Sequence, residues 1–115
     1  MKITMPRGDI RPVRFTVQDN FGEESDLEFE EIYFTVKRKF SDTDYLFQKR
    51  LGNGTIIADE AGGYSFVIES ADTDNLRVGT YVFDIELVNE SRGIKQTTVG
   101  ELELTNEVTF AVNEV

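Results

Sequence analysis

Carboxylates are the commonest chemistry-bearing groups in this chain, and their densest run is Glu23-Glu24-Asp26-Glu28-Glu30-Glu31. Hard divalent cations want several such oxygens, but a calcium hand needs acids at alternate positions, a central Gly and a closing Glu. This run has no such Gly, so it reads as a solvated, self-repelling loop. Asp42-Thr43-Asp44 and Asp72-Thr73-Asp74-Asn75 offer the same temptation and read as Asx-type turns. No metal site is therefore assigned.

Paired carboxylates also serve glycosidases, given a set separation and an aromatic sugar platform. The chain has 22 Asp and Glu but no Trp, and with so many acids any two fall close together by chance. There is no His and no Cys. A Ser or Thr nucleophile thus lacks its usual activating base, and disulfides, thiolate metal sites and thiol nucleophiles are all excluded. Gly52-Asn53-Gly54 and Gly62-Gly63 are not followed by the Lys and helix of a phosphate cradle. No catalytic residue and no cofactor is assigned, and a non-enzymatic role is expected.

Arg7-Gly8-Asp9 is the tripeptide integrins read from loop tips, but between Pro6 and a strand it reads as a turn. The charge balance, 12 Lys and Arg against 22 Asp and Glu for a net of −10, makes free nucleic acid an unfavourable partner. The basic stretches Lys37-Arg38-Lys39 and Lys49-Arg50 read as a solvated strand face. No apolar run approaches the ~20 residues that span a bilayer, and the start Met1-Lys2-Ile3-Thr4-Met5-Pro6 lacks a secretory stretch. A complete cytoplasmic product with no membrane association is the expectation.

The elements that would carry these groups are strands. Tyr81-Val82-Phe83-Asp84-Ile85-Glu86-Leu87 alternates apolar and acidic residues, the pattern of a strand with one face on a core and one in water. Similar logic places strands at 13–17, 32–36, 45–51, 64–68, 94–104 and 108–112. Turn residues separate them at short intervals, and 115 residues make one domain, 1–115. The expected fold is all-β, an immunoglobulin-like antiparallel β-sandwich of about seven to nine strands. Only Ser70-Ala71-Asp72-Thr73-Asp74-Asn75-Leu76 suits a helical turn, with Ser70 as cap, at a corner between strands.

After that corner, Gly79-Thr80-Tyr81 resembles the tyrosine corner of immunoglobulin-like sandwiches, in which the ring packs inside and the hydroxyl bonds the preceding crossover. The alternative is that Tyr81 is simply the first core residue of its strand. Val82 and Val88 fall on the outer face of that strand and Val67 on that of another. Together they are candidate interface residues, against the alternative of scattered surface valines.

Larger groupings resemble the N-terminal domain of phage baseplate upper proteins. These are Arg7-Gly8-Asp9, Phe15-Thr16-Val17 with Asp19 and Gly22, Asp26-Leu27 and Ile32-Tyr33-Phe34-Thr35-Val36-Lys37. Tyr45-Leu46-Phe47-Gln48-Lys49, Gly63-Tyr64-Ser65-Phe66, Leu76 with Gly79-Thr80-Tyr81, and Ile94-Lys95-Gln96-Thr97 with Gly100-Glu101-Leu102 extend the likeness over nearly the whole chain. The resemblance implies an immunoglobulin-like structural part of a phage or prophage tail or baseplate. It would be made in the bacterial cytoplasm and incorporated into the virion, with other virion proteins or copies of itself as partners. The receptor-binding segments that follow in that family are absent from these 115 residues, which favours a connecting role over host recognition. The other classes are a carbohydrate- or cell-surface-binding module, for which Phe21, Tyr33 and Phe40 are the candidate rings, and a calcium-dependent adhesin domain.

Overall fold

In a computed structural model, which describes residues 1–17 and 29–106, alternating apolar side chains close two sheets onto one core. The strands are β1 (Lys2–Pro6), β2 (Arg11–Thr16), β3 (Glu31–Lys37), β4 (Phe47–Arg50), β5 (Ile56–Ala58), β6 (Gly63–Ile68), β7 (Gly79–Asn89) and β8 (Ile94–Thr105). The larger sheet runs β1-β8-β7-β3-β4 and the smaller β2-β6-β5. This is an all-β, immunoglobulin-like ordering in which β2, β6 and β5 form one layer and β3, β7 and β8 the heart of the other. Among the described residues one pair departs from an antiparallel design: β1 lies parallel to β8, with Lys2 opposite Glu101 and Pro6 opposite Thr105.

Inward positions follow the period of two. Ile32, Phe34 and Val36 of β3, Phe83 and Ile85 of β7, Leu102 and Leu104 of β8, and Phe66 and Ile68 of β6 are all buried. At the centre Phe34 is fully buried, with ring centroids of Phe66, Phe83 and Phe47 at 4.3, 5.1 and 6.2 Å. In a chain without Cys or Trp, this cluster of Phe rings fills the layer that a disulfide and an indole fill in antibody domains.

Two strands were not expected from the sequence, β1 and the three-residue β5. The expected strand at 108–112 lies outside the described residues. Ser70 is not a cap: α1 (Ser70–Thr73) is capped by Glu69, whose backbone N–H donates to Asp72 Oδ2 at 2.8 Å in a capping box. The expectation of a solvated basic face fails at Lys49, which points inward and is buried. Its ammonium meets Asp72 Oδ2 at 2.7 Å, so Asp72 is more than a turn former.

Tyr81 opens the inward row of β7. Its ring is buried and its hydroxyl donates to the Arg77 carbonyl at 2.6 Å, in the crossover that leads from α1 into the strand. A buried neutral hydrogen bond contributes about 1 kcal/mol net, and its loss here also strands the carbonyl. Tyr81→Phe is therefore expected to lower stability by about 1–1.5 kcal/mol. In urea denaturation this is a lower midpoint at unchanged m-value; an unchanged midpoint would mean the hydroxyl contributes nothing.

Candidate functional site

The two ends of β8 differ. Its C-terminal half carries β1 on one side and β7 on the other, whereas β7 is its partner along the full length from Ile94 to Leu104. The ladder direction can be read from two bonds: the Glu101 N–H donates to the Met1 carbonyl at 3.1 Å, and the Arg7 N–H donates to the Thr105 carbonyl at 3.0 Å. Odd-numbered residues of β8 thus turn their backbone groups toward the lane that β1 occupies. The register with β7 is regular, so the N–H and C=O groups of Lys95, Thr97 and Val99 face the same lane. Among the described residues no strand fills it there, because β1 begins only opposite Glu101.

Among the described residues the same stretch is also uncovered from inside. Gln96 and Thr98 share the inward parity of Leu102 and Leu104, yet both are exposed. Beneath them a cleft of about 230 Å³ opens between the sheets, lined by Phe15 of β2, by Val17 just beyond it and by Ile85 and Leu87 of β7. Residues 92–100 include Arg92 and Lys95 and no acid, in a chain of net charge −10. An open edge of β-prone residues above an apolar cleft is chemically a place for another strand: backbone pairing supplies attraction and alternate side chains enter the cleft.

The valines singled out in the sequence do not form one surface. Val82 lies between Lys37 and Glu101, and Val88 between Glu31 and Lys95, both half-buried on the outer face of the larger sheet. Val67, 39% exposed, sits opposite Pro12 on the outer face of the other sheet. Nothing in the sequence marked the β8 edge, because its openness follows from where β1 starts relative to β8.

The acidic groups near these faces have local partners. Glu31 accepts hydrogen bonds from the Gly52 and Ile32 N–H groups and from Arg50 Nη2, at 2.8, 3.1 and 2.9 Å. Partial burial works to raise its pKa, but those donors outweigh it and hold the carboxyl below its ordinary range. Asp59, at the β5–β6 turn, is lowered to about 2 by hydrogen bonding to Arg14 and to the Gly63 and Ala61 N–H groups. Asp84 shifts upward because burial and the neighbouring Glu86 oppose its charge. Glu30 accepts from the Ser91 N–H at 2.9 Å. Asp42 closes the turn that precedes it, accepting from the Lys39 N–H and donating its own N–H to the Lys39 carbonyl, rather than an Asx-type turn over 42–44. Among the described residues no three acids come together to hold a metal, and residues 23–28 of the acidic run lie outside them.

Other candidates are dispersed. Arg7-Gly8-Asp9 is folded against the α1 corner: Arg7 Nη1 donates to the Leu76 carbonyl at 3.3 Å and the Gly8 N–H to Thr73 Oγ1 at 2.8 Å. Of the candidate sugar-binding rings, Tyr33 lies under the Arg50 guanidinium at 5.1 Å and Phe40 is exposed in the β3–β4 connection, while Phe21 lies outside the described residues. Among the described residues no helix is long and apolar enough to cross a membrane. Comparison with protein-family models, with curated proteins and with solved structures finds no match to this chain.

Proposed function

We propose that this chain is a non-catalytic assembly protein, a component of a phage or prophage tail or baseplate that acts through contacts with neighbouring virion proteins or with copies of itself. The observation that supports the assembly reading is the stretch of β8 edge, above an apolar cleft, that no strand pairs among the described residues. Edges of this kind are normally shortened, charged, bulged or covered, because they template pairing with other chains. Here the stretch pairs with β7 without a bulge and carries a single charged residue, Lys95. The tail or baseplate setting rests on the resemblance of the strand and turn motifs from Arg7 to Leu102.

The setting is tested by mass spectrometry of purified particles released on prophage induction from a strain that encodes the chain. Its peptides are expected to co-purify with tail proteins at a fixed ratio to them. Recovery only from the particle-free lysate would overturn the virion assignment.

A further inference from the structure

The turn that joins β4 to β5 holds the chain's single Asn-Gly pair, Asn53-Gly54, and the residues from Gly52 to Thr55 are all exposed. Asn is among the thermolabile residue types. We propose that this pair is a site of spontaneous deamidation in the folded protein, with Thr55 positioning and polarising the reacting carbonyl. Nothing in it depends on an assembly role.

The reaction needs only water. The Gly54 nitrogen, its proton given up to hydroxide, forms a bond to Asn53 Cγ, and the five-membered ring that results makes the attack intramolecular. The tetrahedral carbon then expels the side-chain nitrogen as ammonia, which takes its third proton from water. One water molecule opens the cyclic imide and a proton passes to solvent. Opening at Cγ leaves Asp, and opening at the main-chain carbonyl leaves an isoaspartyl link.

Glycine at 54 is set by the fold. Its φ is +80°, in the left-handed region that strains any residue with a Cβ, and its N–H closes the turn on the Leu51 carbonyl at 3.2 Å. The nitrogen that follows Asn53 is therefore unscreened by a side chain. The carbonyl it attacks is held as well: Asn53 Oδ1 accepts from the Thr55 N–H at 3.1 Å and from the Thr55 hydroxyl at 2.6 Å. The hydroxyl's other acceptor, the Arg50 carbonyl, is farther away at 3.2 Å. Negative charge develops on Oδ1 as the nitrogen adds, so both donors strengthen in the transition state, in the manner of an oxyanion hole. Against them stands one neutral bond, Gly54 to Leu51, which is released when the nitrogen loses its proton. Two charge-assisted bonds outweigh it.

Asn75 supplies the contrast. It is also exposed, but it precedes Leu76, whose side chain is buried and whose N–H is held by the Thr73 carbonyl at 2.9 Å. The two products also differ in how they fit. Asp at 53 keeps both Thr55 donors and adds a negative charge beside the Gly52 N–H that holds Glu31. An isoaspartyl link lengthens the backbone inside a turn whose span is fixed by Gly54 to Leu51 and by Thr55 to Arg50, so it opens that corner.

The test is incubation of the full chain at 37 °C, then trypsin and mass spectrometry. No Lys or Arg lies between Leu51 and Leu76, so one peptide reads both Asn53 and Asn75. Asn53 is expected to convert at least about tenfold faster than Asn75, and faster at about pH 8.5 than at about pH 6, because the attacking nitrogen must lose its proton. Asn53→Asp, made directly, marks where the product runs in anion exchange. Thr55→Val should slow conversion about fivefold and Thr55→Ser should restore it.

Equal rates at Asn53 and Asn75 would overturn the site. Conversion at Asn53 about tenfold faster in urea than in the folded chain would show that the fold protects the pair, and would overturn it too. A Thr55→Val variant that folds and converts at the wild-type rate or faster would overturn the role given to Thr55. Should that variant not fold, the comparison of the folded wild type with the chain in urea decides alone.

Discussion

Replacing Phe34 with Ala is expected to cost about 3–5 kcal/mol, the range for removing a large aromatic from a packed interior. The side chain has no exposure, and three other Phe rings close on it from β4, β6 and β7. Those strands belong to both sheets, so no single movement closes the void. Rings at 4.3 and 5.1 Å also lose their tilted contacts with it, a further contribution of about 1 kcal/mol per pair beyond area. Domains of this size are stable by about 5–15 kcal/mol, so the variant should be near the limit of folding at 37 °C. Urea or thermal unfolding checks it, with Phe34→Leu as the milder comparison. A loss below about 1.5 kcal/mol for the Ala variant would show that the sheets collapse onto the gap and that the ring cluster is not the keystone described.

The second large effect belongs to Asp72. Its carboxylate meets the buried Lys49 ammonium at 2.7 Å and accepts the Glu69 N–H that begins α1. Asp72→Ala leaves an ammonium inside the sandwich without that counter-charge and removes a cap. Losses of about 3–5 kcal/mol are typical when one partner of a buried pair is deleted, and the partial exposure of Asp72 places the expected value near about 3 kcal/mol. Lys49→Met should cost much less, because it keeps an unbranched stem against Phe47 and leaves its charge-bearing partner nearer to solvent. The double variant should accordingly be more stable than Asp72→Ala alone. If it is not, the stranded ammonium is not the cause of the loss, and the cap alone must account for it.

These two residues also show what a sequence can disclose about such a fold. Phe34 sits in the alternation Ile32-Tyr33-Phe34-Thr35-Val36, and period two alone puts it inside. Lys49 falls on the inward parity of β4, but a Lys in a basic stretch reads as surface, and the acid that permits its burial lies 23 residues later on a corner whose packing is tertiary. Tyr81 was legible because a Gly, a strand start and an aromatic hydroxyl coincide locally, although the carbonyl that receives the bond was not specified. β1 offers only Ile3 and Met5 as inward residues, too few for a periodic signal, and β5 is three residues long. The open edge was illegible for a different reason. It is a property of register, set by Lys2 standing opposite Glu101, and no local run of residues records an offset between two strands so far apart.

That distance has a consequence for how the protein is made. The first strand pairs with the last strand described, about a hundred residues later. During translation at roughly 5–20 residues per second, β1 waits on the order of 5–20 s before β8, its one sheet partner among the described residues, has been synthesised. Contacts of such long range are also the slowest to close. Docking of β1 onto β8 is thus a late event in the life of each new molecule, and until it happens Leu102 and Leu104 lie on a strand whose outer lane is filled by none of the described residues.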